Sequence, residues 1–158
     1  MQVSEKEILN LSRLAFVRLD GAWFMAMARE YGIDAAWKMD VEAWKQFSYV
    51  MGKNLVKQYM PDPVFPESFI DALHVLFRVM GMENREVVQE DGRIVIRVVE
   101  CEMQKAIAKA GIADCGIATI ATYEGLGKGM FGKDFTIKAE HTKNLNQGAE
   151  FCEVVVHI

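Results

Sequence analysis

The sequence predicts an α+β domain: helices through the first half, then a four-stranded antiparallel sheet built from two hairpins, with one or two helices between them. Two observations carry this. Apolar residues recur at three- and four-residue spacing up to about residue 81, after which the period falls to two. Asp91-Gly92 then separates two β-rich runs, the strongest short hairpin signal there is.

The stretch "SEKEILNLSRLAFVRL" opens with Ser4 and carries Glu7 three positions on, a pair whose side chains cap each other's backbone N–H at a helix start. Ile8, Leu11, Leu14 and Ala15 then mark an apolar stripe. "DGAWFMAMAREYG" continues this helix or restarts it at Asp20, and Gly32 is a C-terminal stop. Trp37, Trp44, Phe47, Met51 and Leu55 follow at helical spacing until Pro61, Pro63 and Pro66 interrupt, since proline cannot extend a helix. In "ESFIDALHVLFRVMGM", Phe69, Leu73, Leu76, Phe77 and Met80 share one face and Gly81 ends the segment.

The second half begins with "REVVQEDGRIVIRVVE", in which Ile94, Ile96 and Val98 point one way and Arg93 and Arg97 the other. "CEMQKAIAKAG" is a short helix closing at Gly111. "CGIATIATYEGLGKGMFG" reads as a helix that dissolves among Gly125, Gly127, Gly129 and Gly132 into a turn or ligand-covering flap. It lacks the lysine-serine/threonine pattern of a phosphate loop. "DFTIKAEHT" and "AEFCEVVVHI" form the last pair of strands around "NLNQG".

Composition narrows the function. A chain of 158 residues reads as a single domain over 1–158, with a helical part at about 1–81 and a sheet part at about 82–158. Net charge −4 and the lack of any lysine/arginine run argue against nucleic acid as a partner. The apolar stretches are too short for a bilayer span and "MQVSEKEILN" has no signal-peptide core, so no membrane partner and a cytoplasmic location are expected. A small-molecule ligand is the expected partner, and a homodimer stays open. The ten methionines serve as core filler or as walls that tolerate loose apolar ligands.

Cys101, Cys115 and Cys152 are an odd number of thiols, so they cannot all pair as disulfides. Cys101 ends a strand, Cys115 follows about one helix later, and Cys152 heads the last strand with His141 one hairpin earlier. If they converge, Cys101, Cys115, Cys152 and His141 offer three sulfurs and a nitrogen to zinc or another transition metal. Glu100, Glu102 or Asp114 are further oxygen donors. Alternatively His141 acts as a base that activates a thiol such as Cys101, oriented by Glu140 or Glu124. Without convergence they are three separate small apolar side chains. His74 and His157 read as ordinary helical and outer-face histidines. Asp20, Trp23 and Phe24 are candidates to line a pocket where the first helices meet the sheet.

The runs "VECEMQKAIAKAGIADC" and "HTKNLNQGAEFCEVVV" resemble the L-2-amino-thiazoline-4-carboxylic acid hydrolase family, through Thr142, Leu145, Gly148 and Cys152, with Asn144 where that family commonly has threonine. "LDGAWFMAMAREYGIDAAWKMDVEAW", with Cys101, Gln104, Gly111 and Cys115, is similar to a related group of small prokaryotic proteins. Those usually carry extra cysteines where this chain has "KAEHTKN". The resemblance implies a fold distantly like the four-vinyl-reductase, hydrocarbon-binding domains, and a cysteine site that holds a metal. It also implies hydrolysis of a cyclic amidine or carbamoyl C–N bond, or else a ligand-binding sensor with a structural metal.

Overall fold

A computed structural model describes residues 2–82 and 84–157. Helices α1 (Glu5–Tyr31) and α2 (Ile33–Tyr59) form a long hairpin hinged at Gly32, and α3 (Glu67–Val79) follows the prolines. Strands β1 (Arg85–Glu90) and β2 (Arg93–Val98) precede α4 (Glu102–Lys109) and α5 (Gly116–Phe131), and β3 (Lys138–Lys143) and β4 (Cys152–His157) close the chain. The strands form one antiparallel sheet in the order β1-β2-β4-β3. The α+β expectation therefore holds. Among the described residues no helix is long and apolar enough to cross a membrane.

The local signals act as read. Ser4 and Glu7 make the reciprocal cap of α1. Asp91 and Gly92 both take positive φ, the twist that a two-residue hairpin turn demands. Ile94, Ile96, Val154 and Val156 form the inner sheet face, and Phe69, Leu73, Leu76, Tyr123 and Leu126 from α3 and α5 cover it. At roughly 25 cal/mol per Å² of apolar surface removed from water, this layer is the main source of stability.

The glycine-rich segment departs from expectation. Rather than dissolving into a flap, α5 runs through Gly125, Gly127 and Gly129 and stops only at Gly132. A Cβ at Gly125 would stand 2.2 Å from the Lys45 carbonyl oxygen, and one at Gly129 would stand 2.2 Å from that of Tyr49. Gly52 of α2 answers from the other side, where a Cβ would meet the Leu126 carbonyl at 2.6 Å. These glycines let two helix backbones touch, a packing gain that outweighs about 1 kcal/mol of lost helix propensity at each.

Helix α1 is the opposite case. It has no buried residue and packs chiefly on α2, where Phe16 meets Trp44 and Phe47 edge-on or tilted. Ile8, Leu11, Leu19 and Trp23 stay exposed.

Candidate functional site

The sheet register brings the sulfurs toward one another. Val98 pairs with Cys152, so the end of β2, and Cys101 just beyond it, lies beside the start of β4. Cys101 caps α4, its Sγ accepting the Gln104 N–H at 3.4 Å. Cys115 immediately precedes α5 and is buried. His141 of β3 pairs with Val154, and an irregularity follows it before Lys143. Its side chain favours the Cys152 thiolate, and the Cys152 sulfur accepts the Leu145 N–H at 3.4 Å.

Cys115 and Cys152 shift each other's ionisation in opposite directions. The Cys115 thiol has two acceptors, Asn144 Oδ1 at 4.0 Å and the Cys152 sulfur. Accepting from Cys115, then from His141 and Leu145, draws Cys152 below the ordinary thiol range against the cost of burial. Donation to Cys152, reinforced by burial and by the charges on Cys152 and Cys101, pushes Cys115 up. The two titrate as a unit holding one thiolate, centred on Cys152.

Asp114 and Asn144 build the frame. Asp114 Oδ1 accepts the Gly116 N–H at 2.9 Å and Asn144 Nδ2–H at 3.0 Å, and stands 3.9 Å from His141 Nδ1. Asn144 is buried, and its Oδ1 also takes the Asn146 N–H at 2.9 Å. Gln104 Nε2 donates to Asn146 Oδ1, which ties α4 to the loop before β4. Gly116 is required sterically: a Cβ there would lie 2.0 Å from His141 Nδ1.

A cavity of about 600 Å³ reaches this cluster from the helical side. Cys101, Cys115, Arg85 and Tyr123 line it from β1, α4 and α5, and Asp20, Phe24, Trp37, Asp40 and Trp44 line it from α1 and α2. Met25, Met80, Met82 and Met103 contribute apolar wall between α1, α3 and α4. Arg85 stacks over Phe77 at 4.8 Å and donates to Met82 Sδ at 3.0 Å and Cys101 Sγ at 3.8 Å. No carboxylate among the described residues pairs with it. The Tyr123 hydroxyl faces this guanidinium but completes no hydrogen bond. Cys152 and His141 stand behind Cys115, outside the cavity lining.

The family model of DUF6125, a family of unknown function, matches residues 2–139. The chain belongs to DUF6125. The description of that family names no activity, and its matched span includes Cys101 and Cys115 but ends before His141 and Cys152. No curated protein matches the chain.

In this DUF6125 protein the expected residues therefore meet in part. Cys115, Cys152 and His141 interact directly, and Cys101 is close enough for its charge to act on Cys115. The suggested orienters lie elsewhere: Glu140 faces His157 at 3.8 Å and Glu124 faces Lys45 at 3.7 Å. Asp114 occupies the orienting position instead. Glu100 and Glu102 are engaged with Lys105 at 2.7 Å each. Asp20 and Phe24 line the cavity as expected, while Trp23 is exposed and does not.

For a metal, three sulfurs and an imidazole are a chemically suitable soft donor set. Among the described residues, however, no three His, Cys, Asp or Glu groups stand close enough together to hold one ion. Cys101 Sγ is occupied by Gln104 N–H and Arg85.

Sequence reasoning passed over Arg85, Asp40 and Tyr123. Asp40 alone carried a signal, a carboxylate in the row of every fourth residue, Ala36, Asp40, Trp44, Ser48 and Gly52, on the buried face of α2.

Proposed function

We propose that the protein binds a small organic molecule in the cavity and cleaves a C–N bond in it, of cyclic amidine or carbamoyl type, with Cys115 as nucleophile. One observation carries this reading: Cys115 alone lines the cavity and also acts on Cys152, which His141 acts on in turn. As Cys115 Sγ adds to the electrophilic carbon, its proton passes to the Cys152 thiolate. The C–N bond then breaks with the proton delivered to the departing nitrogen, and water releases the thioester or thioimidate. His141, aligned by Asp114, stabilises the charge on Cys152. Cys101 is assigned to the cavity wall beside Arg85, so the nucleophile moves from Cys101 to Cys115.

The test is turnover of an aminothiazoline carboxylate and of simple amidine and carbamoyl compounds, with mass spectrometry for an adduct on Cys115. No turnover and no adduct from any of them would end the reading.

The thiol cluster also favours a second reading, a ligand-binding sensor with zinc or another transition metal on Cys101, Cys115, Cys152 and His141. It requires Cys101 to release Arg85 and Gln104 N–H. Metal analysis of protein purified without chelator decides between the two, because a stoichiometric ion bound through the cysteines excludes a free Cys115 thiol. Both readings fit a reducing cytoplasm, where free thiols persist. The exposed apolar side of α1 is a surface on which a homodimer would form, and light scattering tests that.

A further inference from the structure

The wall that α1 and α2 give the cavity holds two carboxylates that the reaction above does not use. Asp40 of α2 is 6% exposed, and its Oδ1 has no hydrogen-bond partner. Asp20 of α1 is close enough that its charge acts on Asp40. Among the described residues no ion pair reaches either one. The aromatic residues Phe24, Trp37 and Trp44 belong to the same wall.

A buried carboxylate without a partner is costly, and a second one beside it makes it more so. The arrangement is relieved by a positive charge that enters from the cavity. The aromatic walls around the two carboxylates supply no oxygen ligands to complete the shell of an inorganic divalent cation. Aromatic faces together with carboxylates instead match an organic ammonium group, attracted by the ring quadrupoles as well as by the charge. We infer that this wall of the cavity is a subsite for the ammonium group of a small aliphatic or aromatic amine, held by Asp20 and Asp40 against Phe24, Trp37 and Trp44. This deepens the proposed function, and rests on its reading of the cavity as the ligand site, by naming a charge that the ligand carries in addition to its reacting carbon.

Asp40, with Asp20 facing it from α1, governs the pH dependence. The other charged groups lining the cavity are Arg18 of α1, Arg85 of β1 and Glu102 of α4, and none of them perturbs Asp40. Burial and Asp20 together raise Asp40 to about 7, so its carboxylate is only partly formed near neutrality.

The experiment is calorimetric titration of the full chain with phenethylammonium and with its neutral analogue 2-phenylethanol. The amine is expected to bind at least ~10-fold more tightly than the alcohol, and its affinity to rise from about pH 6 to pH 8 while that of the alcohol stays level. Asp40→Asn should remove most of that preference and leave the alcohol within about twofold. Asp20→Asn, an independent variant should the first fold poorly, should lower amine affinity by a smaller factor. Equal affinity of both probes for the native chain, or an undiminished preference in both variants, overturns the ammonium subsite while leaving the cavity reading intact. Binding of neither probe overturns the subsite and the ligand-site reading together.

Discussion

The thiol-bearing and acid-bearing parts of the cavity wall differ in how far their buried polar groups are partnered. At the thiol end the protein supplies partners for the sulfurs and for Asp114, namely Gln104 N–H for Cys101, Leu145 N–H for Cys152, and Gly116 N–H and Asn144 for Asp114, while Arg85 Nε and the Tyr123 hydroxyl are left without one. At the acid end Asp40 has an oxygen without any partner, and its nearest titrating neighbour bears the same charge. A preorganised end suits chemistry, because donors already in place need no rearrangement as charge develops. An end left unsatisfied suits recognition, because the missing partner arrives with the ligand.

The largest effect separating the two ends is expected from Cys115→Ser. A hydroxyl in place of the cavity-facing thiol should lower kcat/KM on any turned-over amidine or carbamoyl compound by at least about a hundredfold. Binding of an amine at the acid end should stay within about threefold. A serine variant with native turnover would remove the chemical role from this end altogether.

Next comes Gly116→Ala. The new methyl would overlap His141, whose Nδ1 lies 2.0 Å from the Cβ position, so either the imidazole or the start of α5 must shift. Overpacking of this kind costs about 1–3 kcal/mol in denaturant unfolding. Because displacing His141 removes one of the donors on Cys152, thiolate absorbance should also titrate at higher pH than in the native chain. Lost stability with an unmoved thiolate titration would mean that His141 contributes packing and nothing to the sulfur.

Much of this arrangement was legible from residues alone. Ser4 with Glu7, Asp91-Gly92 and the alternation Ile94, Ile96, Val98 announce structure decided within a few residues of themselves. The approach of His141 to Cys152 follows from a single hairpin, because a short turn fixes register. What stayed hidden depends on distant chain segments. Gly125 and Gly129 look like helix breakers until α2 arrives to press its carbonyls against them. Asn144 looked like a departure from a family pattern, yet it bridges Asp114, Cys115 and Asn146 because its small buried amide can serve donors and acceptors at once. Arg85 and Tyr123 sit in ordinary strand and helix contexts, and only the cavity gives them meaning.

The acid end makes its own prediction in stability. The folded chain holds the Asp40 proton up to about pH 7, whereas an unfolded aspartate loses it near 3.8. Between those values the native state binds more protons than the unfolded one, so this residue's contribution to stability falls as pH rises from about 4 to about 7 and is level above. Asp40→Asn removes the slope. By pH 8 the variant should gain about 1–3 kcal/mol over its effect at pH 4, allowing for water screening at the cavity mouth. A pH-independent difference would show that Asp40 finds a partner in solution, and the contrast between the ends would weaken.

The smallest effect is expected from Tyr123→Phe, and it tests whether the thiol end is as complete as its hydrogen bonds suggest. The Tyr123 hydroxyl is buried beside Arg85 without a finished hydrogen bond, and burial pushes its ionisation up. Deleting a buried polar atom that lacks a partner leaves nothing newly exposed, so stability should change by no more than about 1 kcal/mol, in the stabilising direction. If the variant instead loses more than that, the hydroxyl completes a bond to Arg85 in solution and belongs to the satisfied frame around Cys101. If stability holds while a turned-over substrate binds several-fold more weakly, the hydroxyl is a second unsatisfied group, and the reacting end of the ligand is what satisfies it.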